Sequence, residues 1–248
     1  MVVYFFMVMN GRKRIVVLLG TIVNGICIVV GSLLGKLFQH IPERLKATVM
    51  GGIGLAVALL GIQMGMKSEQ FLIVIFSLVF GGVLGEIWDW DQKLNQLGEW
   101  VEKKVGGDQE GNIAKGFVSA TLLFVIGAMA IVGALDSGLR GDHRVLYTKS
   151  ILDGFTSIIL TTTLGIGVIF SAIPVMMYEG GIALLATQIE RWVPKEIVDS
   201  FITESTATGG ILIMAIGLNM LGITNIRVAN LLPSIIVTAF AVSVLHFF

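Results

Sequence analysis

Residues 201–223 read FITESTATGGILIMAIGLNMLGI. From Ser205 to Ile226 no residue is charged, and a run of this length matches the roughly 20 apolar residues that carry a helix across a hydrocarbon core of about 30 Å. Yet it opens on a carboxylate, Glu204, followed by Ser205, Thr206 and Thr208, and holds an amide, Asn219, deep within it. Polar groups in such a setting need partners, a water-filled cavity or an interfacial position. The fold depends on whether this stretch spans a membrane, and the function on what its polar groups do.

The rest of the chain answers the first question. Of its 248 residues 55% are hydrophobic and 14% charged, with a mean hydropathy of +0.89, whereas soluble domains carry about 25% charged residues. Charge-free runs recur at 15–35, 47–66, 70–85, 116–135, 154–178 and 228–248. Lipid offers the backbone no hydrogen-bond partners, and the alternation of barrel strands is absent. The expectation is therefore an all-α, polytopic transmembrane bundle forming a single domain over 1–248, with about eight spans near 15–37, 47–66, 70–88, 115–136, 147–167, 170–189, 203–223 and 228–247.

Net charge is zero, so nothing points to nucleic acid or to a strongly charged protein partner. The single cysteine, Cys27, excludes an internal disulfide and a thiolate metal cage. At the N-terminus an apolar segment precedes Arg12, Lys13 and Arg14, the reverse of a signal peptide's order, so no cleaved leader is expected. With both termini on one side, that side holds nine Lys and Arg residues and the other eight. The positive-inside rule then fixes no orientation.

One region resists simple counting. Between Gly154 and Ile189 the only charge is Glu179, and one helix of that length would measure about 54 Å, too long for a bilayer. The middle, LGIGVIFSAIPV, has no solvated loop. The chain must turn there tightly or within the bundle, as a broken or re-entrant segment. Residues 89–112 read instead as an amphipathic surface helix, with Trp90, Leu94, Leu97 and Val101 on one face.

A weak internal repeat brackets these features. GSLLGKLF and MGGIGLAVALLGIQM, within residues 31–64, resemble GGIALLAT and TGGILIMAIGLNMLGI, within 180–223. Gly51 and Gly52 match Gly209 and Gly210, and Gln63 matches Asn219 with a two-residue gap. The halves would be 15–88 and 166–248, separated by the surface helix and by intervening spans at 115–165. With eight crossings the copies are inverted, an architecture found in secondary transporters.

Two oxygen-rich segments stand out as candidates. Asp153, Ser157 and Thr161 fall at i, i+4 and i+8 on one helical stripe; Glu204 and Thr208 form another. Asn219 and Asp136, at the end of the fourth span, complete the set expected to line a polar cavity. With Lys149 counted among the loop residues, no basic residue stands in the spans to neutralise Asp153 and Glu204, which favours a cation or proton as the species handled. Asn24, Gln63 and Asn219 also suit hydrogen bonding between helices, and the glycine-rich faces suit close packing or a homodimer.

Enzyme readings lack support. There is no HExxH motif, no GxSG-type serine site and no phosphate-binding GxxxxGK; the three histidines are scattered. Asp136 and Asp153 flank one loop, but the sequence there is GLRGD rather than the GxGD of intramembrane aspartyl proteases. No cofactor is implied.

Taken together, GALDSGL, SILDGF, AIPV and STATGGILI resemble the YdfK/YqgA-like family of small polytopic bacterial inner-membrane proteins, over the chain from about Gly20 onward. The resemblance implies a multi-pass protein of the bacterial plasma membrane, and brings neither substrate nor ligand residues with it. The function expected is a transporter or channel-like protein for a small polar solute or ion. The alternative is a membrane scaffold or regulator whose polar residues only hold helices together.

Overall fold

The computed structural model describes residues 11–37, 43–105 and 112–247. The N-terminal apolar segment lies outside the described residues, as do the side chains of Arg12, Lys13, Arg14, Leu97 and Val101. Among the described residues the chain is helical throughout, with no strand: α1 (Gly11–Leu37), α2 (Glu43–Gly65), α3 (Phe71–Trp88), α4 (Trp90–Val105), α5 (Asn112–Val125), α6 (Ala128–Arg140), α7 (Arg144–Leu164), α8 (Ala172–Trp192), α9 (Lys195–Met220) and α10 (Pro233–Phe247). Short 3-10 turns, Ile166–Ser171 and Val228–Leu231, precede α8 and α10.

Small residues set which helices touch. The two most extensive pairings are α1 with α7 and α2 with α9. On α2, a Cβ at Gly61 would collide with the backbone of Gly210 and Met214 across the interface, so glycine permits a backbone approach no other residue allows. Contacts also give direction. Gly20, Gly31 and Gly35 face Leu146, Gly154 and Ile158 in turn, so α1 and α7 are parallel. Gly54, Gly61 and Gly65 face Gly217, Gly210 and Ala207, so α2 and α9 are antiparallel. The same test makes α3 and α10 antiparallel, through Gly81 with Ser234 and Gly85 with Asn230, and α1 and α8 antiparallel, through Gly25 with Met176 and Leu18 with Gly180.

Each helix of the first repeat copy therefore lies against its counterpart in the second with reversed direction, the geometry an inverted repeat requires. The residues matched by sequence do not keep matched surroundings. Gly209 and Gly210 are packed, whereas a Cβ at Gly51 or Gly52 would meet nothing; Gln63 is exposed, whereas Asn219 is bonded into a loop.

Six described helices are long and apolar enough to cross a membrane, and the pair α5–α6, bent by 63°, makes a seventh. Eight crossings were expected from the sequence; α7, which carries Arg144, Lys149 and Asp153, is not among these candidates, although it has 21 residues and runs alongside α1. The bend falls at Gly127, whose φ of 144° suits glycine alone. The pair crosses rather than re-enters: α5 starts beside the turn that follows α7, with Gly116 against Leu164, and α6 ends beside Glu190 and Lys195.

The region 154–189 holds two helices that run in opposite directions, the end of α7 and most of α8, of which α8 with its 3-10 lead-in is long and apolar enough to cross a membrane. Gly165, at φ 86°, ends α7; the 3-10 turn then buries Gly167 against Ile113 of α5. No solvated loop is needed, because a neighbouring helix covers the turn. The sharp break lies in the fourth span instead, which the sequence suggests is continuous. The segment expected as a surface helix is helical over Trp90–Val105 and packs on α5; Trp90 and Leu94 are half-buried, while Lys93 and Trp100 are exposed.

Candidate functional site

Where α1, α7 and α8 meet, four polar side chains are buried together: Asn24, Lys149, Asp153 and Glu179, none more than 7% exposed. Each is placed by an ordinary helical reason. Lys149 and Asp153 are four residues apart on α7, so their side chains meet on one face. Parallel packing of α1 on α7 brings Asn24 to that face, and antiparallel packing of α8 brings Glu179. The Asn24 amide donates from Nδ2 to Asp153 Oδ2 at 3.0 Å and to Glu179 Oε1 at 2.9 Å. The Lys149 ammonium pairs with Asp153 Oδ2 and lies 3.2 Å from Glu179 Oε1. Asp153 stands about 14 Å along an α7 roughly 32 Å long, at 1.5 Å per residue.

The charges do not balance. Two carboxylates share one ammonium, so with every group ionised the cluster carries one uncompensated negative charge inside an apolar bundle, an expensive condition. Its hydrogen bonding is also incomplete. Asn24 Oδ1 and Glu179 Oε2 have no partner, nor do the hydroxyls of Thr21, one turn before Asn24, and Ser157, one turn after Asp153. A proton or a small cation would meet both deficits.

Beside the cluster, α2, the α5–α6 break, α7 and α9 border an open-sided cavity of about 490 Å³. Lys149 and Asp153 form part of one wall, and most of the remaining lining is apolar.

The same chain is matched over residues 19–243 by the model of a family described as a protein of unknown function, DUF554. It belongs to that family. Among its relatives is the uncharacterized membrane protein YdfK of Bacillus subtilis (strain 168), 35% identical over 234 residues that cover 92% of this chain and 97% of YdfK. Another is the uncharacterized protein YqgA of Escherichia coli (strain K12), 28% identical over 226 residues, 88% of this chain and 93% of YqgA. No solved structure matches. The resemblance to the YdfK/YqgA-like family is thus shown, and the DUF554 fold is a multi-pass helical bundle.

Of the seven residues proposed from sequence, the structure brings together three. Asp153, Ser157 and Thr161 share the α1–α7 seam, all buried, with Ser157 against Gly31 and Thr161 against Gly35. The other four lie elsewhere, so the seven do not line one cavity. Glu204 is buried, but its carboxylate accepts from Ser68 Oγ at 2.5 Å and from the backbone N–H groups of Glu69 and Gln70 at 2.9 Å each. It is a cap, donated by α9, for the start of α3, which has no side-chain cap of its own. The Thr208 and Thr238 hydroxyls pair at 3.2 Å between α9 and α10. Asn219 Oδ1 accepts from Thr224 Oγ1 and the Ile226 N–H while its Nδ2 donates to the Ile226 carbonyl, clasping the loop after α9. Asp136 pairs with the exposed Arg140 at 3.1 Å on the rim.

The absence of a base in the spans is likewise corrected. Lys149, counted among loop residues, lies in the second turn of α7 and is buried against Asp153. Sequence reading also left Glu179 out of the candidate site and took Asn24 as a hydrogen-bonding bridge between helices, which it is, to Asp153 and Glu179. The signal for Glu179 was its isolation, as the one charge in a long apolar run, but its partners stand on two other helices.

Proposed function

We propose that this protein is a transporter or channel-like protein of the bacterial plasma membrane for a small polar solute or ion, coupled to a proton or small cation at the Asn24–Lys149–Asp153–Glu179 cluster. The observation that carries the reading is the cluster's charge: two buried acids, one base and unpartnered oxygens, well inside the bundle. A group meant only to join helices needs a neutral, saturated network. One that must load and unload a positive charge needs an unsaturated anionic network, with a base held close enough to compete. Lys149 is that competitor, occupying the carboxylates when the incoming cation is absent. The antiparallel pairing of the two helix sets and the break in the α5–α6 span agree with transporter architecture.

A second reading, a non-transporting scaffold, draws on Glu204, Thr208 and Asn219, all of which are spent on tying elements together. The two readings separate in liposomes. Purified protein reconstituted with a trapped pH dye and placed under a proton or sodium gradient is expected to pass charge or protons. Asp153→Asn and Glu179→Gln are each expected to lower that flux at least about tenfold, the effect of about 1.4 kcal/mol at a rate-determining state. Flux that is absent under every gradient, or equal in wild type and both variants, would rule out this function and leave the scaffold.

A further inference from the structure

The cavity beside the cluster has a second polar feature, and it belongs to the backbone. At the break between α5 and α6, Ile126 still donates to Leu122 and Ala130 to Gly127. Between them the N–H groups of Gly127, Ala128 and Met129 and the carbonyls of Leu123, Phe124 and Val125 enter no backbone hydrogen bond in the turn. Leu123, Phe124 and Ile126 to Ala130 line the cavity. Non-helical backbone at membrane depth is tolerated where it faces protein or a polar cavity, so these groups require a partner there.

The two sides of the break differ in sign. The first turn of α6 presents donors at the positive end of a helix, whose cap, Gly127, has no side chain to satisfy them. The last turn of α5 presents acceptors at a negative end. A second observation points to a ligand: Thr206 of α9, 4% exposed, lines the same cavity with its hydroxyl unpartnered. The charged side chains of the wall are Lys67, Lys149 and Asp153, the last paired with Lys149, and Thr156 adds a hydroxyl. Most of the remaining wall is apolar, including Val57, Leu60, Met64, Leu152 and Ile213.

We propose that this cavity is the solute site, and that the solute is a small zwitterion with an apolar body, of the class of an α-amino acid with an aliphatic side chain. Its carboxylate sits at the α6 N–H groups and the Thr206 hydroxyl. Its ammonium sits at the α5 carbonyls, and its side chain lies against the aliphatic wall. A simple anion would leave the carbonyls without a donor, and a simple cation would leave the N–H groups without an acceptor. The proposal rests on the transport reading, and the groups it assigns to the solute, the α6 N–H groups, the α5 carbonyls and Thr206, are not those of the coupling cluster, which borders the cavity through Lys149 and Asp153.

The test is equilibrium binding to the purified full chain in detergent, without any gradient, using L-leucine as probe beside 4-methylpentanoate, which lacks the ammonium, and isopentylamine, which lacks the carboxylate. Leucine is expected to bind saturably and at least about tenfold more tightly than either analogue, the usual worth of one charge-assisted hydrogen bond. Thr206→Val, which keeps the shape, should weaken leucine by about the same factor. Ala56→Phe, at the α2 wall, should abolish binding while gel filtration and melting stay near wild type. Equal or tighter binding of either analogue, no leucine binding, or binding indifferent to both substitutions overturns the proposal. The proton-flux comparison of Asp153 and Glu179 variants needs no leucine, so either result can fail while the other stands.

Discussion

Two deeply buried sets of acids are treated in opposite ways by this fold. Glu204, on α9, receives three hydrogen bonds from a single loop and closes the end of a neighbouring helix. Asp153 and Glu179, on α7 and α8, share one lysine and one amide, and Glu179 keeps a bare oxygen. All three are carboxylates in apolar surroundings, and two of them, Asp153 and Glu204, have hydroxyl residues nearby in sequence. The difference is saturation. A carboxylate whose lone pairs are filled by fixed backbone donors stays put and stays charged, whereas one that divides a partner with a second acid can change partners when a positive charge arrives. Burial next to hydroxyls therefore does not by itself mark a transport site; unbalanced charge is the feature on which the proposed function rests.

The comparison breaks most severely at Lys149. Replacing it with methionine strands two buried acids without a counter-charge, and loss of one partner from a buried pair costs about 3–5 kcal/mol. The expected result is a large fall in melting temperature in detergent. The double variant Lys149→Met/Asp153→Asn should recover much of it, since one fewer charge is left bare. If Lys149→Met alone melts like wild type, the cluster is already neutral in the folded protein and the proposed competition does not exist.

Glu204 and Asp153 should then part company. Glu204→Gln keeps one oxygen for the N–H groups of Glu69 and Gln70 but removes the charge and turns the acceptor of Ser68 Oγ into a donor, and a hydrogen bond to a charged group is worth about 1.5–3 kcal/mol. Melting temperature should fall, and flux per folded molecule should hold. Asp153→Asn is expected to do the reverse, because it leaves Lys149 and Glu179 as a one-to-one pair and removes the cluster's uncompensated buried charge. Stability stays, and coupled flux goes. Should Asp153→Asn destabilise as much as Glu204→Gln with flux intact, the two acids would be of one kind and the distinction drawn between them would be void.

How far these roles were legible in sequence follows from the range of the interactions. The spans were readable because apolar length is a local property, and α7 was placed despite its three charges because charge-free residues continue it toward Leu164. The stripe Asp153–Ser157–Thr161 was readable for the same reason: i, i+4 spacing is local. The partners were not. Asn24 and Glu179 stand on helices 129 and 26 positions from Asp153, and only the parallel packing of α1 on α7 and the turn at Gly165 bring them together. Glu204 misled because its neighbours in sequence, Ser205 and Thr206, contribute nothing to it, whereas Ser68, Glu69 and Gln70 do. The break at Gly127 was hidden within an apolar run, where a glycine at positive φ looks no different from one that packs.

A smaller effect belongs to Asn219, which resembles Glu204 in serving a loop. Its three hydrogen bonds all fall within Asn219 to Ile226, so Asn219→Ala frees only a partly exposed turn. The expected cost is about 1 kcal/mol, that of an ordinary hydrogen bond exchanged for water. Flux should be unchanged. A loss of transport with stability preserved would instead move Asn219 from the clasp into the pathway.

The smallest effect is expected at the exposed loop between α6 and α7. There the Arg144 guanidinium, hydrogen-bonded to Asp142 at 2.6 Å, together with the Arg144 backbone N–H, holds the Asp142 carboxyl down to about 2. A carboxyl held below its unfolded value stabilises the fold above that value and loses its contribution as pH falls toward the folded one. Asp142 should therefore contribute fully above about pH 4 and progressively less down to about pH 2. Both side chains are in water, where such pairs contribute little, so Asp142→Asn should barely alter melting at neutral pH. The residual difference between wild type and variant should vanish, not grow, on acidification. A difference that widens below pH 4 would mean that Asp142 is repelled rather than held, and that the loop joining α6 and α7 is arranged by other charges.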